Sequence, residues 1–232
     1  MKIDILTLFP SMFDGFINES IIKRAIDKEL IAIDIHNIRD YSPFKNKQVD
    51  DYPYGGGAGM ILMCEPIFNA IDSLKTEGSI VIMMTPTGKT FNQSIAYDLS
   101  KEKHIILLCG HYEGFDERIT ALVDYEISIG DYVLTGGEIP AMALVDSITR
   151  LIPGVINERS HLEDSFKKDV MNDIYLLDYP TYTKPAEFRG MKVPEILLSG
   201  HHENIRKYRY EESLKRTQER RPDLLEVKHE EN

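Results

Sequence analysis

The sequence predicts an α/β protein with a mainly parallel sheet, followed by a small α-helical domain. Up to about residue 156, short apolar runs alternate with helix-like segments, which is typical of a parallel sheet covered on both faces. From about residue 173 the pattern changes, and prolines precede one long helix-like run at about 202–220. We therefore predict an α/β domain at 1–156, a polar linker or loop at 157–172, and a helical domain at 173–232.

The elements of the first domain follow from the spacing of apolar residues. Alternating or continuous apolar runs predict strands, whereas apolar residues three or four positions apart predict helices. The predicted strands are Lys2–Leu8, Ile31–Ile38, Ile80–Met84, Ile105–Cys109 and Glu126–Ile129. The predicted helices are Met12–Leu30, Glu65–Lys75, Gln93–Ser100, Glu117–Asp124 and Glu138–Leu151. Because ligand loops lie at the carboxyl ends of parallel strands, we expect the loops that begin at Thr85, Gly110 and Gly130 to lie near one another.

Composition narrows the class of protein. The chain has 232 residues, of which 42% are hydrophobic, enough for one sizeable core and a small second domain. No apolar run approaches the roughly 20 residues that span a bilayer, so we expect no membrane association. The amino terminus lacks the layout of a signal peptide. Cys64 and Cys109 lie among apolar residues, which favours two reduced core thiols and a cytoplasmic location.

The charge distribution gives a mixed indication about nucleic acid. A net charge of −11 argues mildly against nucleic-acid binding, although a local basic patch can be hidden in such a sum. Residues 201–221 form a basic segment that includes Arg206, Arg209 and Arg216. Such a segment is more often a solvated helix face than an RNA-binding site. Charge alone therefore does not decide between these two interpretations.

Two glycine-containing segments resemble nucleotide motifs without satisfying them. The loop at 54–60 contains Gly55, Gly56 and Gly57, but its spacing does not fit the dinucleotide fingerprint. We favour a functional loop over a flexible surface loop, because the preceding Asp50 offers an acceptor. The run Gly88-Lys89-Thr90 ends like a phosphate-binding loop, yet Met83 stands where that motif requires glycine.

Two further segments lie at predicted carboxyl ends of strands. Residues 109–118 place an aromatic residue and carboxylates between glycines, which fits either a strand-to-helix turn or a weak metal site. Residues 128–140 form a glycine-punctuated loop with Tyr132 and Leu134 that leads into a helix near Pro140. Apolar walls with exposed backbone groups suit an adenine ring, which needs stacking and edge hydrogen bonds.

Together these segments resemble the TrmD family of the SPOUT methyltransferases. The resemblance extends in order along essentially the whole chain. The segments that carry it are Leu8–Pro10, Val49–Gly57, Cys109–Gly114, Ser128–Pro140, Ile152–Val155, Glu163–Phe166, Pro194–Gly200 and Arg220–Pro222.

The resemblance implies a fold, an activity and an assembly. The fold would contain a deep trefoil knot, an exception to the rule that chains are not knotted. The activity would be transfer of a methyl group from S-adenosylmethionine to N1 of guanosine 37 of tRNA, just 3′ to the anticodon. The enzyme would be a homodimer with its active site between subunits. One chain would supply the cofactor loops and the other the Asp164 loop and the C-terminal domain.

The resemblance also assigns roles to individual residues. Asp164 would be the general base, Arg150 would stabilise O6, and Mg²⁺ would lie near Glu113 and Asp164. The implied cofactor-binding residues are Pro86, Gly110, Tyr112, Glu113, Ile129, Gly130, Asp131, Tyr132, Val133, Leu134, Gly136, Gly137 and Pro140. The residues expected to contact tRNA are Asp50, Gly55, Gly56, Gly57, Ser165, Arg206, Arg209 and Arg216.

Three alternatives remain from the sequence. The first is a knotted methyltransferase that acts on ribosomal RNA or on another position of tRNA. The second is a nucleotide-binding α/β protein, suggested by Gly88-Lys89-Thr90. The third is a non-enzymatic RNA-binding module built on the basic C-terminal helix, which would leave the glycine-rich segments without a purpose.

Overall fold

The computed structural model describes residues 1–157, 164–169 and 171–226. The chain divides into two compact units, Met1–Ile156 and Asn157–Asn232. Within the described ranges, no helix combines the length and hydropathy needed to cross a membrane.

The first unit is built on a parallel sheet. Its strands, in chain order, are β1 (Lys2–Thr7), β2 (Ala32–Asn37), β3 (Asp50–Asp51), β4 (Ile61–Leu62), β5 (Ser79–Thr90), β6 (His104–Cys109) and β7 (Tyr125–Ser128). Five of them form one sheet in the order β2-β1-β6-β5-β7, and every pairing in it is parallel. The two short strands β3 and β4 pair with each other in antiparallel fashion. The predicted mainly parallel sheet is therefore confirmed.

Helices cover both faces of this sheet. They are α1 (Asp14–Ile17), α2 (Ser20–Asp27), α3 (Cys64–Leu74), α4 (Gln93–Leu99) and α5 (Glu138–Thr149), with 3₁₀ helices at Pro10–Phe13, Ile38–Tyr41 and Glu117–Leu122. One core cluster joins α2, α4 and α5 to side chains such as Ile5 and Leu107. The other joins α3 to side chains such as Leu6 and Leu108. Successive residues of one strand thus enter opposite cores, as the pleat requires.

Three predicted elements differ in extent. The predicted helix Met12–Leu30 is interrupted at Glu19, which is extended, and at Ser20, whose φ is +52°. The low helix propensity of Gly15, Asn18 and Ser20 accounts for the break. The predicted helix Glu117–Asp124 is a shorter 3₁₀ helix.

The third difference concerns the segment that resembles a phosphate-binding loop. Strand β5 continues beyond Met84 through a register shift, and Lys89 and Thr90 pair with Ile127 and Ser128 of β7. Gly88 lies so close to β7 that an added Cβ would be 2.4 Å from the carbonyl carbon of Glu126. Gly88-Lys89-Thr90 is therefore part of a strand, which removes the basis for a phosphate loop there.

The second unit mixes hairpins and helices. Its elements are β8 (Lys167–Asp169), β9 (Ile174–Leu176), β10 (Glu187–Phe188), β11 (Met191–Lys192), α6 (Glu195–Leu198), α7 (His202–Arg220) and a 3₁₀ helix at Pro222–Leu225. The long helix α7 is confirmed. Besides its helices, the predicted small helical domain contains two antiparallel hairpins that the sequence did not indicate, β8–β9 and β10–β11.

The predicted linker 157–172 needs a correction at its carboxyl side. Lys167–Asp169 form β8 and pair with Ile174–Leu176, so this part is a strand of the second unit. The sequence did not indicate this strand because its residues are polar and lack apolar alternation. The strand forms through its hydrogen bonds with the partner strand of the hairpin. Residues 158–163, which include Glu163 of the family-like motif, lie outside the described residues.

Candidate functional site

A cavity of about 610 Å³ lies at the carboxyl edge of the sheet in the first unit. It is lined by residues that follow β6 and β7 and by the irregular part of β5. The three segments expected to meet, beginning at Thr85, Gly110 and Gly130, all line it. The parallel topology brings them together, since the carboxyl ends of neighbouring strands share one edge of the sheet.

The predicted cofactor residues gather at this cavity. All of them line it except Asp131, which is exposed between two lining residues. The wall also contains residues that the sequence did not indicate, including Thr120 and Glu126. These residues carry no motif of their own, and they reach the cavity because their segments neighbour the glycine-rich ones in the sheet.

The glycines of the 128–140 segment permit a close approach between loops. The Gly137 N–H donates to the Gly110 carbonyl at 2.8 Å. A Cβ on Gly137 would lie 2.7 Å from the Cα of Cys109 and 2.8 Å from the Gly110 nitrogen. Both atoms belong to the backbone, so a side chain at Gly137 would push the β6 loop away.

A buried polar chain ties the start of α5 to the end of β1. The Thr7 hydroxyl donates to Glu138 Oε1 at 2.7 Å and accepts from the Phe9 N–H at 2.9 Å. Glu138 is 2% exposed and lies in the first turn of α5, where the helix dipole favours a carboxylate. Burial, with the nearby Glu138 charge, raises the pKa of the Cys109 thiol. Sequence reasoning missed the Thr7–Glu138 contact, because 131 positions separate the two residues.

The residue Tyr112 at the cavity wall has an unusual backbone. Its φ is +59°, a left-handed conformation that costs a non-glycine residue roughly 1–3 kcal/mol. Its hydroxyl accepts from Arg39 Nη2 at 3.4 Å, and its ring lies edge-on to His111, with 5.4 Å between centroids. The His111 ring also lies 4.8 Å from the ring of Phe9. Aromatic rings from two loops therefore cluster beside the cavity.

The glycine-rich loop that contains Gly55–Gly57 reaches the same edge of the sheet. The Glu113 N–H donates to the Met60 carbonyl at 3.0 Å, and the Leu62 N–H donates to the Gly114 carbonyl at 2.9 Å. Gly59 packs directly on Glu113, since an added Cβ would be 2.6 Å from its Cγ. The loop is thereby held next to the cavity wall. Its glycines have φ values of +87°, +82° and +136°, which only glycine adopts easily.

The remaining first-unit residues lie at different distances from this edge. Asp50 is in β3, is 8% exposed, and accepts at its carbonyl from Gln48 Nε2 at 2.9 Å. Arg150 directly follows α5, whose amino end is at the cavity. A helix of 12 residues is about 18 Å long, so Arg150 lies at the far end of α5 from Glu138. Arg150 does not line the cavity of its own chain.

The other predicted residues are in the second unit. The Ser165 hydroxyl donates to Asp178 Oδ1 at 2.8 Å. Arg216 Nη1 donates to the Asp178 carbonyl at 3.1 Å, so part of its hydrogen-bonding capacity is used within the unit. Asp164, Arg206 and Arg209 line a second cavity there.

The predicted Mg²⁺ site has no preformed set of ligands in the described part of the chain. Those residues contain no group of three or more His, Cys, Asp or Glu arranged to hold a metal. Glu113 lies in the first unit and Asp164 in the second.

Comparison with known proteins identifies relatives along the whole chain. A family model described as "tRNA (Guanine-1)-methyltransferase TrmD" matches residues 1–227. The chain is 59% identical over 228 residues to the tRNA (guanine-N(1)-)-methyltransferase of Staphylococcus carnosus, covering 97% of this chain and 91% of that protein. It is 55% identical over 227 residues to the protein of the same name from Dictyoglomus turgidum, and the match covers 97% of this chain and 90% of that protein. It is 54% identical over 228 residues to the protein of the same name from Mycoplasma mycoides, and the match covers 98% of this chain and 92% of that protein.

Proposed function

Since the chain belongs to the TrmD family of tRNA (guanine-1)-methyltransferases, we propose that it methylates N1 of guanosine 37 in tRNA, just 3′ to the anticodon. The methyl donor in this proposal is S-adenosylmethionine. The observation that carries it is the cavity at the sheet edge, where nearly all the residues that the family resemblance assigns to the cofactor come together. The enzyme would work in the cytoplasm, which the two free thiols of Cys64 and Cys109 support.

The cavity suits S-adenosylmethionine in size and in chemistry. Its volume of about 610 Å³ lies within the range of small-molecule sites. Val133 is 83% exposed and Tyr132 is 54% exposed, so apolar surface is available to an adenine ring. Gly130, Gly136 and Gly137 leave backbone groups accessible to the rest of the molecule. When bound, S-adenosylmethionine supplies a methyl group that is already electrophilic.

The chemical task left to the protein is to make guanine N1 nucleophilic. N1 carries a proton at neutral pH, and a carboxylate within hydrogen-bond reach can accept it as general base. Negative charge then spreads to O6, where an arginine fork stabilises it. We assign these roles to Asp164 and Arg150, following the family resemblance.

The location of Arg150 favours an active site shared by two subunits, and the family resemblance assigns Asp164 to the same site. Arg150 lies at the end of α5 remote from the cavity of its own chain, and Asp164 belongs to the second unit. We therefore propose a homodimer in which Arg150 and Asp164 of one subunit act at the cofactor cavity of the other. We also propose that the cofactor loops are threaded as a trefoil knot, and that Asp50, the Gly55–Gly57 loop and the second unit contact the tRNA.

Methyl transfer to two matched tRNA transcripts tests the proposed function. The transcripts differ only in carrying guanosine or adenosine immediately 3′ to the anticodon, and the donor is labelled S-adenosylmethionine. We expect label in the guanosine transcript alone. Label in both transcripts, or in neither, would contradict the proposed acceptor and direct attention to another tRNA position or to ribosomal RNA.

Single-turnover kinetics test the two catalytic assignments. Asp164→Ala and Arg150→Ala should each slow methyl transfer by about 100-fold or more, the usual contribution of acid–base catalysis or of one charge-stabilising donor. The affinity for S-adenosylmethionine should stay within about twofold, because both residues are assigned to the guanine base and the cofactor is assigned to the loops that line the cavity. Asp72→Ala, at an exposed position on α3, serves as the control. Near-normal transfer rates in both variants would refute the assignments.

A glycine substitution tests the cofactor cavity itself. Gly137→Ala forces a methyl group against the backbone of Cys109 and Gly110 and should weaken S-adenosylmethionine binding by about tenfold or more. Gly15→Ala is the matched control, since no atom lies within 4 Å of an added Cβ there. Calorimetric titration of both variants measures the effect. Equal affinities would show that the Gly137 approach does not shape the site.

A further inference from the structure

The second unit contains a cavity that no sequence motif indicates. Its volume is about 630 Å³, and it lies between the β8–β9 hairpin and α7. The side chains relevant here are Lys167, Met171, Leu176, Tyr179, Arg206 and Arg209, and Asp164 is at the same cavity. Every lining residue belongs to the second unit, so the cavity is independent of how the units are arranged.

Two of its carboxylates accept hydrogen bonds within the unit, and two of its cations are available to a ligand. Asp169 accepts from the Tyr210 hydroxyl at 2.9 Å and from Asn172 Nδ2 at 2.9 Å, and these hydrogen bonds lower its pKa. Asp178 accepts from Ser165. By contrast, the exposed side chains of Lys167 and Arg206 have no hydrogen-bond or ion-pair partner in the described part of the chain. The cavity therefore offers positive charge at its rim, despite a chain charge of −11.

Its walls are aromatic and apolar. The guanidinium carbon of Arg209 lies 4.6 Å from the centroid of the Tyr179 ring, a cation–π arrangement that gives two flat groups beside one another. Leu176 and Leu177 complete an apolar wall, and Met171 is 94% exposed. Flat groups of this kind are where proteins stack unpaired nucleic-acid bases, and adjacent cations hold the phosphate.

We propose that this cavity binds one unstacked nucleotide of the tRNA, next to the guanosine that is methylated. The phosphate lies against Lys167 and Arg206, and the base stacks on the Tyr179–Arg209 pair. The inference rests on the proposed function. The guanosine itself must reach the cofactor cavity of a first unit, so the nucleotide held by the second unit is a neighbour. The presence of Asp164 at this cavity keeps that neighbour close to the proposed base.

Binding of full-length tRNA as a function of salt tests the phosphate contacts. Lys167→Gln and Arg206→Gln should each weaken binding and reduce the slope of log affinity against log salt by about one. Lys207→Gln is the matched control, because Lys207 is also on α7 but is 79% exposed, lies 3.9 Å from Glu211 and does not line the cavity. Unchanged slopes for the two cavity variants would overturn the phosphate assignment.

A double-mutant cycle with abasic tRNAs tests the stacked base. Each nucleotide of the anticodon loop is made abasic in turn, and tRNA affinity is measured for the wild type, Tyr179→Leu and Tyr179→Phe. We expect one position, beside the methylated guanosine, where base removal costs the wild type about tenfold. Tyr179→Leu should lose that penalty, and Tyr179→Phe should keep it because the ring remains.

The outcomes separate the two proposals. No coupling at any position, or coupling only at the methylated guanosine, overturns the nucleotide site while methylation of the guanosine transcript still supports the proposed function. Failure of the wild type to bind tRNA overturns both. Retention of the penalty by Tyr179→Phe shows that its loss in Tyr179→Leu reflects the ring and not a folding defect.

Discussion

The two units of the chain are held together by different interactions. The first unit buries two clusters of apolar side chains on opposite faces of its sheet, many of them fully inaccessible. Within 164–169 and 171–226, by contrast, Leu224 is the sole buried apolar residue, and the polar residues Ser213 and Thr217 are buried with it. Hydrophobic burial therefore stabilises the first unit, whereas hydrogen bonds, ion pairs and ring contacts define the second. This contrast explains why apolar spacing predicted the first unit better.

The difference also fits the tasks proposed for the two units. A cofactor cavity needs loops fixed by a rigid sheet, and glycines such as Gly137 require close backbone contact to keep their positions. A surface that binds RNA needs exposed cations and aromatic rings, and side chains that stay exposed for binding do not contribute to a hydrophobic core. Fewer than 80 residues with little apolar burial give a marginal domain.

The largest expected effect comes from the core of the first unit. Leu107 lies fully buried on the central strand β6, and Leu107→Ala should lower the free energy of unfolding by about 2–5 kcal/mol. Leu198→Ala in the second unit removes the same side chain where it is 61% exposed and should cost less than about 0.5 kcal/mol. Urea unfolding followed by circular dichroism measures both. Similar losses would remove the contrast between the units.

A smaller effect should arise from a buried hydroxyl in the second unit. Thr217 is fully buried, and its hydroxyl donates to the Ser213 carbonyl at 2.7 Å and accepts from the Leu177 N–H at 2.9 Å. Thr217→Val keeps the shape but leaves that N–H without its acceptor, so we expect a loss of about 1–3 kcal/mol.

The control for Thr217→Val is Ser199→Ala, which removes an exposed hydroxyl that donates to the Ile196 carbonyl at 2.7 Å and accepts from the His201 N–H at 3.2 Å, where water can replace both hydrogen bonds. Hydrogen exchange at α7 and the β8–β9 hairpin should accelerate in Thr217→Val and remain unchanged in Ser199→Ala. If Thr217→Val leaves exchange in the second unit unaltered, polar contacts do not determine its stability.

The sequence predicted those elements whose signal is local. Apolar runs located β6 and α5 to within two residues, because their burial dictates composition. The strand β8 was missed, since its Lys167-Lys168-Asp169 sequence has no apolar alternation and depends on its partner strand. Likewise the extension of β5 to Thr90 depends on pairing with β7, which no window of sequence contains.

The candidate site divides in the same way. The glycine-rich segments indicated the first cavity from the sequence, because a close approach between two backbones requires glycine. The Thr7–Glu138 contact and the cavity around Tyr179 had no such signal, since each is made by residues that look ordinary until the chain brings them together. Arg150 and Asp164 were identifiable only by family resemblance, because an isolated charge has no local pattern.

The first unit also contains one buried network of charged side chains within its largely apolar core. Changing this network should have the smallest predicted effect on stability. Asp4 is fully buried in β1, and its carboxylate accepts from His36 Nε2 at 2.7 Å, His104 Nε2 at 2.6 Å and Lys2 Nζ at 2.8 Å. Burial alone would raise the pKa of Asp4, but these hydrogen bonds outweigh it and lower the pKa. Tyr41 and Ser79 hydroxyls bond the other imidazole nitrogens at 2.9 and 2.7 Å, which orients the rings.

The pKa of Asp4 is lower in the folded protein than in the unfolded chain, where it is about 4. The ionised carboxylate therefore stabilises the fold above about pH 4, and this stabilisation is lost as the pH falls through the pKa of the folded state. The unfolding free energy of the wild type should therefore decline below about pH 4, and Asp4→Asn should show a shallower decline. Asp34→Asn is the control, because Asp34 lies 3.8 Å from the same Lys2 ammonium but is 58% exposed. Its profile should follow the wild type. Parallel profiles for all three proteins would mean that the buried network contributes no acid sensitivity to the first unit.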